Sequence, residues 1–122
     1  MLLSLRYQNK YRNFIKTKRE ELNLLIEEIK SENSITLKVE GRIDALASPE
    51  LQNEILLCLQ KMPVLHVDFT NVEYISSAGL RVLLLGHKTA TSKGGKMTVH
   101  NINSIVSDIL KTTGFDKFIN IV

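Results

Sequence analysis

Hydrophobic and polar residues alternate in two short stretches near the start of the chain, and this pattern predicts a pair of strands. In Ile35–Val39 every second residue is apolar, which is typical of a strand with one buried and one solvated face. Leu24–Lys30 is a second strand-like run, and the turn formers Ser31–Ser34 separate the two. We therefore expect an antiparallel hairpin near a sheet edge, with its second strand ending at Gly41.

Three later stretches have apolar residues at the three- and four-residue spacing of a helix face. The first begins at Ser48, the expected N-cap, which Pro49 follows at the first helical position. The second runs from about residue 77 to residue 92. The third begins after the expected N-cap Asn103 and ends at Gly114, where a left-handed conformation is needed. The residues expected to face inward are Leu51, Ile55 and Leu59 in the first helix, Leu80, Leu83, Leu84 and His87 in the second, and Ile105, Val106, Ile109 and Leu110 in the third.

Three further strands are predicted between and after these helices. Val64–Phe69 is rich in branched and aromatic residues, as a central strand is, and Lys96–His100 and Phe118–Val122 complete the set. After the opening hairpin, a helix separates each pair of successive strands, which favours right-handed crossovers. The sequence therefore predicts a mixed α/β fold: a mostly parallel sheet of four to five strands, opened by a hairpin, with about three to four helices.

Composition fits one globular domain, because 43% of the 122 residues are hydrophobic and 24% are charged. The single cysteine, Cys58, excludes an internal disulfide. Apolar runs such as Val82–Leu85 are far shorter than the roughly 20 residues that cross a bilayer, and no secretory signal is visible. We therefore expect a cytoplasmic protein without a transmembrane segment.

Positive charge is concentrated at the N-terminus. Six of the 16 basic residues lie within residues 1–19, where there is no acid, so the rest of the chain has ten bases against 13 acids. We interpret residues 1–22, which have weak helical spacing, as a basic extension of a domain spanning residues 23–122. Such an arm can bind a membrane surface or nucleic acid, but a dispensable or partly disordered extension is the simpler interpretation, and we assign it no function. Because no basic face is predicted within the domain, direct DNA binding is not expected.

Small residues stand where the predicted central strand gives way to the second helix. Ser76 and Ser77 lie at the start of that helix, where free backbone N–H groups and the positive end of the helix dipole attract a phosphate. Ala78 and Gly79 keep side-chain bulk away, so a macromolecule can approach the serines. A serine at this position is also commonly just a helix cap, so both interpretations stay open.

Other reactive side chains indicate neither a metal site nor catalysis. The three histidines, His66, His87 and His100, are far apart in the sequence and show no metal-ligand spacing. Cys58 is interpreted as a packing residue, and Asp68 as a carboxylate that hydrogen-bonds the following turn. No histidine base is placed beside Ser77, so we predict no enzyme activity and no cofactor.

The segment Val67–Leu80 resembles the phosphorylation-site signature of the STAS family, particularly of the anti-sigma factor antagonists, in which a serine stands two residues before Gly-Leu at a helix start. Gly41–Asp44 is similar to the Gly-x-Leu-Asp turn of that family. Thr113–Phe115 is similar to its Ser-Gly-Leu/Phe turn, and Lys93–Met97 to its Gly-Gly turn into a strand. The resemblance covers about residues 24–122 and implies a STAS-like fold.

The resemblance implies a bacterial anti-anti-sigma factor that works by partner switching. Its unphosphorylated form would bind an anti-sigma serine kinase of the GHKL type and so release a sigma factor, and a phosphoprotein phosphatase would reset it. STAS domains also serve in anion transporters, lipid-transport machinery and stress-sensing assemblies, so a free-standing subunit of such an assembly is the alternative. No oligomeric state is predicted.

Site residues follow from the same resemblance. Ser77 matches the phosphoacceptor and Asp44 the acid near it, while Ser76 replaces the acid that usually precedes the phosphoacceptor and is the second candidate acceptor. Arg42 occupies a turn position that is often acidic in the family. On the second helix, Val82, Leu85 and Gly86 are expected to extend the apolar zone toward solvent, with deep burial as the alternative. The expected partner-binding residues are Asp44, Ser76, Ala78, Gly79, Arg81, Val82 and Leu85.

Overall fold

The computed structural model describes residues 12–16 and 24–122, which form six strands and three α-helices. In chain order these are β1 (Arg12–Lys16), β2 (Leu24–Lys30), β3 (Ser34–Ile43), α1 (Ser48–Lys61), β4 (Val64–Ile75), α2 (Ser77–Ser92), β5 (Lys96–His100), α3 (Ser104–Thr113) and β6 (Asn120–Ile121). A short 3-10 turn, Phe115–Lys117, precedes β6.

The strands form one sheet in which their spatial order follows their order in the chain. β1 and β2 pair antiparallel, as do β2 and β3, whereas β3, β4, β5 and β6 run parallel to one another. This confirms the predicted mixed sheet, opened by a hairpin and mostly parallel.

β1 lies within the stretch that the sequence analysis assigned to a basic extension with weak helical spacing. Arg12–Lys16 pairs antiparallel with Leu25–Ile29 and adds a strand to the four to five predicted. The pairing supplies hydrogen-bond partners to an edge of β2 that would otherwise be left open. The rest of the predicted extension lies outside the described residues.

β3 and β4 are longer than predicted, and their extra residues reach the start of α2. β3 continues through Gly41 to Ile43 because Gly41 adopts a φ of 115°, which glycine tolerates, beside two register shifts against β4. β4 continues past Phe69 to Ile75. The prediction that the strand ends at Gly41 is therefore wrong. The additional residues of the two strands place Ile43 and Ile75 against the first turn of α2.

The core lies between the sheet and its helices and matches most of the predicted inward positions. All three predicted residues of α1 are buried, as are Leu80 and Leu83 in α2 and Val106 and Leu110 in α3. Leu84, His87 and Ile109 are only half-buried. Ile105 is 57% exposed, so its predicted inward orientation is wrong.

The C-terminal strand is shorter than predicted. β6 comprises only Asn120–Ile121, and Phe118, which was expected to begin it, is 61% exposed after the 3-10 turn. Asn103 and Gly114 take the predicted capping roles, because the Asn103 side chain accepts from the Val106 N–H at 2.8 Å and Gly114 is left-handed with φ 79°. None of the three described helices has the length and apolarity that crossing a bilayer requires.

Candidate functional site

The start of α2 is tied to the end of β3 by a backbone hydrogen bond. The Ser76 N–H donates to the Ile43 carbonyl at 2.8 Å. The Ser76 hydroxyl accepts from the Gly79 N–H at 3.2 Å, and the Ser76 carbonyl accepts from the Leu80 N–H at 2.9 Å. Ser76 is therefore the N-cap of α2, and its side chain is engaged in holding the first turn.

Gly79 is a packing residue and not part of an open surface. It is buried, and a Cβ at this position would lie 2.7 Å from both Ile43 Cγ2 and Ile75 Cγ1. Real Cβ contacts are never that short, so glycine is what lets α2 approach the ends of β3 and β4. Gly79 therefore contributes packing to the first turn of α2, and its contact with a partner stays a prediction.

Ser77 differs from Ser76 in exposure and in bonding. It is the first residue of α2 and is exposed, and its hydroxyl has no hydrogen-bond partner within the described part of the chain. The backbone N–H groups of Ser77 and Ala78 likewise have no acceptor there. An exposed hydroxyl thus stands at the positive end of a 16-residue helix with two free donors beside it.

Asp44 organises the turn that leads into α1. Its Oδ1 accepts from the Ala47 N–H at 2.9 Å, while its backbone carbonyl accepts from the Ser48 N–H at 2.9 Å and the Ser48 hydroxyl at 2.6 Å. Ala47 is the N-cap, so the predicted capping role of Ser48 is wrong: the Ser48 hydroxyl is turned back toward Asp44. Because Asp44 directly follows Ile43, this turn lies next to the start of α2.

A groove of about 820 Å³ runs between the N-terminal parts of α1 and α2. We call it the α1–α2 groove. The residues that line it are Ala45 before α1, Ser48, Pro49, Glu50, Gln52, Asn53 and Leu56 on α1, and Ala78, Arg81, Val82 and Leu85 on α2.

The sequence analysis left open whether the apolar residues on the outer side of α2 are buried or exposed, and the α2 residues that line the groove answer this. Val82 is 5% exposed and forms the floor, whereas Leu85 is 39% exposed and Arg81 is exposed as well. Leu46, which directly follows the lining residue Ala45, is 49% exposed. Leu85 thus extends the apolar zone to solvent. For Val82 and Gly86 that expectation is wrong: both are buried, and Ile55 of α1 and Met97 of β5 approach Gly86 closely.

The structure brings most of the predicted site residues to one end of the sheet. Four of them, counting buried Val82, line the groove or its floor, and Asp44, Ser76 and Ser77 lie in the two turns beside it. Pro49 and Glu50 were missed, because α1 carried no signal that it would form the opposite wall. The guanidinium of Arg42 lies 4.7 Å from the centre of the Tyr74 ring, a cation–π contact that holds it on the β4 side.

Two of the histidines are close together, although the sequence analysis placed all three far apart. His66 Nδ1 lies 3.1 Å from His100 Nε2, and the Thr98 hydroxyl is within 2.9 Å of the first and 2.7 Å of the second. Burial lowers the pKa of His66, and the charges of His100 and Lys96 lower it further. Parallel pairing of β4 with β5 creates this pair, which sequence spacing does not show. No group of three potential metal ligands occurs within residues 12–16 and 24–122.

Cys58 and Asp68 have the structural surroundings that the sequence indicated. Burial, reinforced by the negative charge of Glu28, raises the pKa of the buried Cys58 thiol to about 12, so the thiolate does not form at neutral pH. Asp68 accepts from the N–H and hydroxyl of Thr70 at 2.9 and 2.6 Å and from Asn101 at 3.0 Å. Burial alone would raise the pKa of Asp68, but these hydrogen bonds lower it overall.

The sheet order, with a serine-capped helix starting at the ends of two parallel strands, defines the class of protein. The chain belongs to the STAS domain family: residues 26–122 match the family model described as "Mlab, STAS domain".

The chain is also similar to particular proteins over most of its length. The chain is 24% identical over 100 residues to the anti-sigma-B factor antagonist of Bacillus subtilis (strain 168), an alignment covering 82% of this chain and 92% of that protein. An anti-sigma factor antagonist from Mycobacterium paratuberculosis superposes with a TM-score of 0.73 at 20% identity over 88% of this chain and 89% of the other. The phosphorylated form of the Bacillus cell fate determinant SpoIIAA superposes with a TM-score of 0.62 at 12% identity over 81% and 90% of the two chains. The two structural likenesses show that the fold is shared.

Proposed function

We propose that this STAS domain is an anti-sigma factor antagonist whose unphosphorylated form binds an anti-sigma serine kinase of the GHKL type and thereby releases a sigma factor. Phosphorylation of Ser77 switches this binding off, and a phosphoprotein phosphatase restores it. The observation that carries the proposal is the unengaged, exposed hydroxyl of Ser77 beside the α1–α2 groove. The domain acts by binding, with no catalytic step of its own.

The relatives support this proposal. The Bacillus subtilis relative is an anti-sigma-B factor antagonist, and it is aligned over most of both chains. SpoIIAA, which shares the fold, has been solved in a phosphorylated form. A phosphorylated state is therefore compatible with this architecture.

Ser77 suits a kinase better than Ser76 for physical reasons. A phosphate on Ser76 would remove the oxygen that caps Gly79 and would be pressed toward the buried contact between Gly79 and Ile43. A phosphate on Ser77 projects into solvent, where the free N–H groups of Ser77 and Ala78 and the helix dipole stabilise its charge. We therefore assign phosphorylation to Ser77.

The phosphate acts on the contact surface and not on the fold. It adds a charge of about −1.5 to −2 at the start of α2, where the helix dipole stabilises negative charge, so the modified domain stays folded. A partner that covers the groove must desolvate this charge. A penalty of about 3 kcal/mol weakens binding by roughly 10², which is enough for a switch.

Co-expression with a candidate anti-sigma serine kinase tests the proposal, with binding measured by calorimetry and the phosphate located by mass spectrometry. We expect a phosphate at Ser77 in the wild type, weakened binding by Ser77→Asp and persistent binding by Ser77→Ala even after exposure to kinase and ATP. Ser76→Ala is the matched control and should still be phosphorylated. The proposal is overturned if the wild type stays unmodified while both Ser77 variants bind as it does.

The second candidate is a free-standing STAS subunit of a lipid-transport, anion-transport or stress-sensing assembly. The description of the matching family model, "Mlab, STAS domain", is the observation that favours it. Genomic context separates the two: an adjacent anti-sigma kinase and sigma factor support the antagonist, whereas an adjacent set of transport genes supports the subunit.

A further inference from the structure

Arg81 lies near the proposed phosphorylation site on α2 and also lines the α1–α2 groove. It lies four residues after Ser77 on α2, so the two side chains share one face of the helix. Both residues are exposed, and Arg81 lines the α1–α2 groove. Within the described part of the chain, its guanidinium has no ion pair or side-chain hydrogen bond, so it is available to a ligand.

The remaining lining of the groove indicates what kind of partner segment fits it. The α2 wall is otherwise apolar, with Val82 as its floor and Leu85 at its rim. Among the described lining residues, Glu50 on the opposite wall is the other charged group. The α1 wall also carries the polar side chains of Ser48, Gln52 and Asn53. A segment seated here therefore meets apolar side chains and a cation on the α2 side, and mainly polar groups on the α1 side. A carboxylate is the group that pairs best with a guanidinium, through two parallel hydrogen bonds.

We propose that the Ser77 phosphate and a carboxylate of the partner compete for the same guanidinium, that of Arg81, the carboxylate being carried by a segment whose α2-facing side is apolar. In the unmodified chain, Arg81 pairs with the partner's carboxylate at the edge of the groove. In the modified chain, the phosphate takes Arg81 as an i,i+4 partner on α2. This inference rests on the proposed function and adds the partner's chemistry and the way in which binding is lost.

The first turn of α2 stabilises the state in which the Ser77 phosphate is paired with Arg81. The phosphate accepts from the free N–H groups of Ser77 and Ala78 while Arg81 pairs with its outer oxygens. A dianion strengthens an i,i+4 pair beyond the few tenths of a kcal/mol of an ordinary one. The partner's carboxylate then loses its cation and faces a like charge, so capture and repulsion act in the same direction.

A partner-free experiment tests the capture. Phosphoserine is installed at position 77 by genetic encoding, so that no kinase is needed, and its ionisation is followed by phosphorus NMR in the wild type, Arg81→Gln and Lys88→Gln. A nearby cation favours the dianion, so the wild-type titration midpoint should lie about half a pH unit below that of Arg81→Gln. Lys88→Gln removes an equal charge from the same helix, farther from Ser77 than a Debye length, and should titrate as the wild type does. Superimposed curves for the wild type and Arg81→Gln overturn the proposal.

A binding cycle tests the competition itself. Affinity for the kinase partner is measured with and without the Ser77 phosphate, in the wild type and in Arg81→Gln. We expect Arg81→Gln to weaken unmodified binding about tenfold, and the phosphate to weaken wild-type binding by roughly 10² but Arg81→Gln by only about tenfold. Equal phosphate penalties in both backgrounds overturn the competition and leave the proposed function standing. If the phosphate has no effect on wild-type binding, the proposed function itself fails.

Discussion

At the scale of single residues, the buried carboxylates Glu28 and Glu54 differ in how far a nearby cation compensates their charge. Glu28 is buried beneath α1, where its Oε2 lies 3.4 Å from Lys61 Nζ. Glu54 is also buried, and burial raises its pKa, with the charges of Glu28 and Glu50 raising it further. Lys61 opposes this shift without cancelling it. The fold therefore penalises the ionised form of Glu54.

Replacing Glu54 with Gln should stabilise the domain at neutral pH. Because the pKa of Glu54 is raised in the folded state, this group favours folding most in acid, below its unfolded pKa, and that contribution is lost as the pH rises through the folded pKa. The advantage of Glu54→Gln should therefore be largest at pH 7 and shrink as the pH falls. Thermal unfolding from pH 4 to pH 8 measures it.

Glu73→Gln provides the matched control, because Glu73 is exposed and the same charge is removed. This variant should show little dependence of its effect on pH. An advantage for Glu54→Gln that grew toward acid would contradict the burial argument.

At the scale of elements, the start of α2 separates two adjacent serines into different roles. The Ser76 hydroxyl caps the helix by accepting from the Gly79 N–H, whereas the Ser77 hydroxyl has no partner within the described residues. Two neighbouring residues of one type can diverge in this way because the N-cap is not helical and points its side chain back at the first turn. The cap is structural, which leaves the next hydroxyl available for the proposed phosphorylation.

The two serines should therefore differ in their contribution to stability. Ser76→Ala removes the cap and should cost about 1 kcal/mol, whereas Ser77→Ala should change the free energy of unfolding by less than about 0.5 kcal/mol. Urea denaturation of the unmodified proteins gives both values. The assignment of roles is wrong if Ser77→Ala is the more destabilised of the two.

At the scale of the whole molecule, the sheet extends beyond the segment that the family model matches. β1 pairs with the outer edge of β2, although the match begins only at residue 26. An edge strand protects its neighbour from pairing with another chain. Arg12–Lys16 is thus part of the sheet and more than a charged appendage.

Proline substitution tests this pairing without altering the charge of the segment. Successive N–H groups of a strand point to opposite sides, so either Phe14→Pro or Ile15→Pro removes a hydrogen bond to β2. In one of the two variants the domain should lose about 1–2 kcal/mol of stability, and the amides of β2 should exchange faster. The other variant should have a smaller effect on both quantities. Unchanged exchange in both variants would contradict the pairing.

Much of the fold was predictable because it is encoded locally. The alternation in Ile35–Val39 and the caps Asn103 and Gly114 involve residues close together in the chain, and all are confirmed. The errors arose where a distant contact overrides the local signal. Gly41 continues a strand because β4 pairs with it across a bulge, and Ser48 bonds backward because Asp44 organises the preceding turn.

By itself, the sequence determined the order and type of most elements and singled out Ser77 at a helix start, because periodicity, caps and a short motif are properties of neighbouring residues. Only the tertiary structure decided that α1 supplies the second wall of the groove, that Gly79 is buried against Ile43 and Ile75, and that Arg81 faces the groove with no described partner. These features depend on strand register and on how closely two helices approach. Both are set by contacts between residues far apart in the chain, which no local pattern records.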